Sequence, residues 1–413
     1  MNTSALWYAK LPTEWPALPA RMSFHRLQQI ESCPRRAALS MAAYPEVWTR
    51  PGYPPKVNRP LLIGRAVHRS VETIAHALAG AGCCSVNEVG AVQALRELGG
   101  YSAVAARSAQ QVLSDYSDNP RVAHSADVAE FSAHLPEIRE RVQILVARLR
   151  LTPNPIRKRS IGRHDRCRLL PGAHFEVELR APLIGWVGVA DLIDLANYGC
   201  KIVDFKAGEP KQEHKLQVQI YALLWIRDSE LNPGGRLPDA LVLSYCSGDV
   251  NVGRPSLEEL AVLENELVAR TGEALVAFGR KPPEARPDTE TCRLCEVRQL
   301  CDEYWASCSA CAQADSFEGD KRPSFTDAGV QIGEQRGPLS WDACVTACQW
   351  IKAGTSAIVR TGWNDNSFAT RVKRGDYVRL LNVHVGFPSP DEEQPVLITL
   401  TAGTESFGVP PGQ

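Results

Sequence analysis

Apolar positions recur at two different spacings along the chain. Residues 21–45 carry a helical pattern, with Ser23 placed to cap it and Pro34 interrupting it just after Cys33. A second helical pattern starts near Ile63 and runs through GRAVHRSVETIAHALA, and residues 91–118 and 126–150 keep the same 3.6-residue period. The period then falls to two. HFEVELRAPL (174–183), WVGVADLIDLA (186–196) and KIVDFKAG (201–208) predict a meander of short strands. KLQVQIYALLWIRD (215–228) returns to helix, and DALVLSYCSG (239–248) predicts another strand. Residues 256–280 predict a long helix opened by a Ser256-x-x-Glu259 capping box.

From about Gln313 to Pro338 the chain is polar and rich in glycine, which predicts a linker. Beyond it, TSAIVRTGW, FATRVKRGDYVRLLNVHVGF and PVLITLTAG predict strands, with a turn at Gly375-Asp376. Short strands over this length predict a small OB-like β-barrel. The expected division is therefore a domain over 1–312, a linker over 313–338 and an OB-like β module over 339–413. No G-x-x-x-x-G-K-[ST] phosphate loop is present, so no ATP-driven motor is expected in this chain.

Composition narrows the class. The chain has 46 Lys+Arg against 47 Asp+Glu, a net charge of −1, which excludes a protein coated in positive charge but permits a local basic groove. MNTSALWYAKLPTEWPALPA lacks the basic start and apolar core of a signal peptide, and IYALLWI (220–226) is too short to span a bilayer. A cytoplasmic protein without a membrane segment is expected. Thirteen cysteines is an unusual count, and in a reducing compartment clustered cysteines point to metal or iron–sulfur rather than disulfides. Cys292, Cys295 and Cys301 form C-x2-C-x5-C, Cys308 and Cys311 a further C-x2-C, and Cys33 stands alone. Cys344 and Cys348 have the spacing of one helix face; these two, with Cys83, Cys84, Cys167, Cys200 and Cys246, are expected to be buried structural thiols.

Asp204 and Lys206 are two apart in a predicted strand, so both leave the same face. If the strands on either side of Asn197-Tyr198-Gly199 pair as a hairpin, Asp191 meets Asp204. Two such carboxylates repel unless a divalent cation lies between them, and an oxygen-rich site suits Mg2+ or Mn2+. The lysine beside them can orient a water and neutralise charge developing on a phosphate. Taken alone, a D-x-K is more often a solvated surface pair. Gln217 and Tyr221, four apart, share a helix face. Gly64-x-x-x-His68 sets an imidazole one turn after a glycine, with Glu72 and His76 following on the same face. One of Glu176 and Glu178, a strand earlier, is a further acidic candidate, whereas Asp194 points to the opposite strand face.

The ordered set G-x-x-x-H, G-x-x-D, D-x-K, Q-x-x-x-Y and C-x2-C-x5-C resembles the RecB-type nucleases of the PD-(D/E)XK superfamily. The likeness is to the branch carrying a 4Fe–4S cluster, which includes AddB nuclease domains and CRISPR-associated RecB-like exonucleases. The matching segments are SFHRLQQIESCPRRA, LLIGRAVHRSVE, GVADLIDLANYGCKIVDFKAG, HKLQVQIYALLW and KPPEARPDTETCRLCEVRQLC. The resemblance implies an α/β restriction-endonuclease-like core with a helical insertion and an iron–sulfur clamp. It implies that His68, Asp191, Asp204 and the Phe205 carbonyl hold Mg2+ or Mn2+, that Lys206 activates water, and that Gln217 and Tyr221 support the site or DNA. It further implies that Cys33, Cys292, Cys295 and Cys301 hold a 4Fe–4S cluster. Asp204 stands where many of the superfamily have Glu, as is common in the RecB branch.

The expected activity is metal-dependent DNA hydrolysis, as an exonuclease on ends or single strands, in repair, recombination or antiphage defence. A separate helicase or DNA-processing protein would be the partner. Two other classes stay open: a nucleic-acid-binding scaffold that no longer cuts, and a zinc-ribbon regulatory protein using Cys292, Cys295, Cys308 and Cys311. Arg148, Arg150, Arg157, Lys158, Arg159, Arg163, Arg166 and Arg168 precede the proposed catalytic strands and could face DNA. Arg360, Arg371, Lys373, Arg374 and Arg379 with Trp363, Phe368 and Tyr377 suit single-stranded nucleic acid or a plain aromatic core.

Overall fold

In the computed structural model, which describes residues 8–122, 125–153, 166–197, 199–311, 324–362, 366–387 and 394–410, extended backbone at Cys33 splits the first helical stretch. It ends α1 (Phe24–Ser32) and caps α2 (Pro34–Met41), its thiol accepting from the Arg36 N–H. A helical layer follows: α3 (Arg59–Gly80), α4 (Val89–Glu97), α5 (Gly100–Asp115), α6 (Ala126–Ala129) and α7 (Leu135–Arg148). Left-handed backbone at Gly99 and Gly100 divides what the period alone predicted as one helix.

Three strands follow in a meander, β1 (Gly172–Ala181), β2 (Trp186–Leu195) and β3 (Cys200–Lys206). Helix α8 (Gln212–Arg227) crosses over to β4 (Ala240–Tyr245), parallel to β3, and β5 (Gly248–Val252) closes the edge. The sheet order is β1-β2-β3-β4-β5. Apolar residues of α1, α8 and α9 (Leu257–Phe278) pack on one face against Trp186, Ile193 and Ile202. Those of α3, α5 and α7 pack on the other against Leu192, Val203 and Phe205. The result is a three-layer α/β/α core.

After α10 (Thr289–Arg293) and α11 (Asp302–Cys311), the chain builds a barrel from β6 (Phe325–Gly337), β7 (Ser340–Cys348), β8 (Ser356–Arg360), α12 (Asn366–Arg371), β9 (Tyr377–Gly386), β10 (Val396–Thr399) and β11 (Glu405–Val409). Pairing runs β10-β8-β7-β6-β9, and β9 pairs back with β10, closing five strands around Ala328, Val330, Val345, Val359 and Leu380. Residues 325–337, expected in a linker, are thus the first barrel strand. Its polar, glycine-rich look comes from register shifts at Gly329/Val330 and Ile332/Gln335, which bend the strand around the barrel. A Cβ at Gly329 would sit 2.9 Å from Thr346 Oγ1.

The barrel is fastened to the three-layer body. The buried Arg298 guanidinium, just before α11, pairs with Asp327 on β6, which also accepts from Tyr304 Oη at 2.8 Å and the Asn382 N–H at 2.8 Å. Arg121 and Lys56 both reach Glu405 on β11. Cys344 and Cys348 lie on a strand, not a helix; Cys348 is buried, but Cys344, Cys84 and Cys167 are exposed, against the expectation of buried thiols. Among the described residues no helix is long and apolar enough to cross a membrane.

Candidate active site

The β2–β3 hairpin closes through the Ala196 N–H to the Gly199 carbonyl at 2.8 Å. Its register pairs Leu192 with Val203, so Asp191 and Asp204 come next to each other across the ladder, on one face. On the other side of β2, Phe175 pairs with Leu192 and Val177 with Ala190, which places Glu176 beside Asp191. Glu176 holds φ at +49°, an uncommon conformation for a residue with a side chain.

Helix α3 brings in His68. Its Nε2 lies 2.7 Å from the Phe205 carbonyl and 3.7 Å from Asp191 Oδ2, while the Phe205 N–H donates to Asp191 Oδ2 at 2.6 Å. One donor atom each from His68, Glu176 and Asp191 fall within 4.8 Å of one another. Lys206 Nζ lies 2.7 Å from Asp204 Oδ2 and donates to Gln217 Oε1 at 2.8 Å. Gln217 Nε2 in turn donates to Tyr221 Oη at 2.7 Å. Asp204 is 2% exposed, and its Oδ2 has an ion pair with the lysine but no aligned hydrogen bond.

The electrostatics fit a site built for a cation. Burial, reinforced by Asp204, pushes the Asp191 carboxyl up to about 7 although His68 opposes the shift. Burial works to lower the His68 pKa, but Asp191, the Phe205 carbonyl and Asp204 outweigh it, and the imidazole titrates above its ordinary value. Burial and Glu72 raise Glu176. The Tyr221 hydroxyl is pushed up by burial and by both aspartates. A buried group of carboxylates without a cation is under mutual repulsion, which a divalent ion relieves.

Two motif glycines differ in their reason for being there. A Cβ at Gly188 would lie 2.9 Å from both Leu224 Cδ1 and Tyr221 Cε1, so glycine is what lets α8 close on β2. A Cβ at Gly64 would meet only Ala207 Cβ at 3.9 Å, an ordinary contact. Glu176, weighed equally with Glu178 in the sequence, is the one at the site; Glu178 pairs instead with Arg180 at the surface. Asp194 faces away, accepting from the Thr152 N–H.

Cys33, Cys292, Cys295 and Cys301 line one cavity of about 20 Å³ together with Arg36 and Arg298. The Arg36 N–H donates to Cys33 Sγ and the Asp288 N–H to Cys292 Sγ, each at 3.4 Å. The N–H groups of Val297 and Tyr304 donate to Cys295 and Cys301. Burial pushes the Cys295 thiol up to about 11 and that of Cys301 up to about 12. Arg36 Nε is buried with no partner. Cys308 is not among the lining residues, and the Cys311 side chain lies outside the described residues.

Within the described part of the basic segment Arg150 and Arg168 are exposed, but Arg148 and Arg166 are tied into the protein. Arg148 donates to the carbonyls of Tyr245 and Cys246, and Arg166 pairs with buried Asp228 and with Glu230. Arg157, Lys158, Arg159 and Arg163 lie outside the described residues. In the barrel, Phe368 is core, Arg379 is held by the Gln299 carbonyl and Asp302, and Tyr377 is half exposed; Trp363 lies outside the described residues.

A protein-family model described as "PD-(D/E)XK nuclease superfamily" matches residues 21–302, most of the chain. The chain belongs to the PD-(D/E)XK nuclease superfamily. That match spans α1 through the last cavity-lining cysteine and includes every residue of the site just described. PD-(D/E)XK nucleases use divalent metal ions, so the chain is a nuclease, hence a hydrolase, with a site of hard donors to hold one. A solved structure titled "Crystal structure of SSO0001" is similar at 14% identity and a TM-score of 0.21, covering 60% of this chain and 86% of that one. No curated protein matches the chain.

Proposed function

We propose that this PD-(D/E)XK nuclease is a Mg2+- or Mn2+-dependent deoxyribonuclease of the RecB-like, iron–sulfur branch. The observation that carries the reading is the meeting of His68, Asp191, Asp204 and Lys206, from three separate stretches of sequence, at one largely buried place beside the sheet. The donor set is an imidazole, carboxylates and a carbonyl, which suits a hard or borderline divalent ion, and Asp204 Oδ2, buried with the Lys206 ion pair but no hydrogen bond, is an atom such an ion would engage. His68, Asp191, Asp204 and the Phe205 carbonyl would hold the ion, with Glu176 as a further ligand from β1. Bound there, the ion would supply a Lewis acid and an acidified water.

The chain's own residues supply the rest. In the ion-free arrangement His68 shares a proton with the Phe205 carbonyl, so ligation requires giving that proton up. Lys206 sits beside the carboxylates, where its ammonium orients the attacking water and neutralises charge building on the phosphate. Gln217, clamped by Tyr221, fixes the lysine's direction. Asp204 is buried and Asp191 partly so, and the apolar clusters on both faces of the sheet limit bulk water around them. Mixing protein with labelled single- and double-stranded DNA in Mg2+ or Mn2+ should give cleavage that a chelator stops; intact DNA under all these conditions would favour a silent DNA-binding scaffold.

The four-cysteine cavity supports a structural 4Fe–4S cluster. Four N–H···S contacts and the unpaired Arg36 Nε suit a negatively charged thiolate group. Tetrahedral zinc with Zn–S bonds of ~2.3 Å brings its sulfurs to about 3.8 Å of one another. Among the described residues, no three of these sulfurs come within 4.8 Å of one another, which favours a larger group. Anaerobic purification should yield iron and sulfide that Cys33→Ala loses; a zinc-only protein would reject the cluster. The closed barrel, read as OB-like, would add a nucleic-acid surface, with unwinding left to a separate helicase, in DNA repair, recombination or antiphage defence in the cytoplasm.

A further inference from the structure

We infer that His214 is a substrate-facing residue of this nuclease site, donating its Nε2–H to a phosphate oxygen of the DNA strand next to the scissile one. The inference rests on the nuclease reading above. His214, Gln217 and Tyr221 sit at positions i, i+3 and i+7 of α8, hence on one face. Gln217 and Tyr221 are already tied to Lys206 from that face. His214 continues the stripe toward the helix start, half-buried, within electrostatic reach of both Lys206 and Asp204.

Its ring is anchored by a buried tyrosine. Tyr245, fully buried, pairs with Lys206 across β3 and β4, so its position is set by the same ladder that sets the catalytic lysine. The Tyr245 hydroxyl accepts from the Lys211 backbone N–H and lies 2.8 Å from His214 Nδ1. That hydroxyl keeps a proton it can donate to Nδ1, and in the arrangement we infer it does so, leaving the ring proton on Nε2. Among the described residues Nε2 has no protein partner. Burial and Lys206 hold the imidazole pKa below its ordinary value, so the ring stays neutral at physiological pH and serves as a hydrogen-bond donor rather than a counter-charge.

The alternative is that His214 only pins the start of α8 to β4. Steady-state cleavage of a single-stranded oligonucleotide by wild type, His214→Leu, His214→Gln and Tyr245→Phe separates the two. His214→Leu should raise KM about tenfold with kcat nearly unchanged, as loss of a uniform binding contact to a charged oxygen does. His214→Gln, which keeps a donor, should recover most of it. Long-range 1H–15N spectra of 15N-histidine-labelled protein should show the Nε2–H form at His214, a signature lost in Tyr245→Phe. An Nδ1–H ring, or wild-type kinetics for His214→Leu in a protein that Lys206→Ala inactivates, would overturn the inference and leave the nuclease reading standing. Absence of any metal-dependent cleavage by wild type would overturn both.

Discussion

Gln217 Oε1 accepts from Lys206 Nζ at 2.8 Å, so the side chain that orients the lysine comes from the crossover helix rather than from the lysine's own strand. Gln217→Ala should therefore leave the fold intact and free the ammonium to swing within its pocket. Cleavage should fall by about one to two orders of magnitude, in line with the loss of a positioning contact at a reacting centre. Circular dichroism and cleavage rates on the same preparation check this; an unchanged rate would remove Gln217 from the machinery.

Gly188→Ala tests the packing of α8 on β2. The added methyl would meet Leu224 and Tyr221 at 2.9 Å, neither at the end of a freely moving chain. Overpacking of this kind costs about 1–3 kcal/mol. Chemical denaturation should show that loss, and activity should fall further because Tyr221 anchors Gln217. Gly64→Ala, which meets Ala207 at 3.9 Å, should cost little.

Metal binding should depend on pH with a definite sign. With no ion bound, Asp191 titrates at about 7 and His68 above its usual value, so below neutrality both hold protons that a cation must displace. Mn2+ affinity measured by calorimetry should be weak at pH 6, rise through pH 7 to 8, and come with proton release. The ion-free protein should show the opposite trend from Asp191. Its folded pKa lies above the ordinary aspartate value of 3.8, so this group's contribution to stability falls as pH rises from about 4 to about 7.

Arg298→Ala should unfasten the barrel. Arg298 and Asp327 are each 8% exposed, and removing one partner of a buried pair costs about 3–5 kcal/mol. Limited proteolysis should cut between the nuclease body and the barrel in this variant before it cuts wild type. Equal resistance would show that the apolar contacts of Trp305, Leu381 and Phe407 hold the two together without the ion pair.

Much of the site was legible in the sequence because it is local. A turn between two alternating strands sets Asp191 opposite Asp204, and a helical repeat sets Gln217 over Tyr221; both follow from spacing alone. What spacing does not carry was missed or left open. Glu176 owes its place to a left-handed φ in mid-strand, which no period predicts. Strand β6 reads as linker because barrel closure demands glycines and bulges. Cys344 and Cys348 are four apart on a strand that merely shares a helix's spacing. Arg166 looked like a DNA contact until Asp228, 62 positions on, proved to be its partner.

The most direct measurement is the cleavage rate of a labelled DNA oligonucleotide in Mg2+ or Mn2+ by wild type, Asp204→Asn and Lys206→Ala, with melting temperature recorded for each. The account predicts metal-dependent cutting by wild type and none by either folded variant. Cutting that survives both substitutions would contradict it.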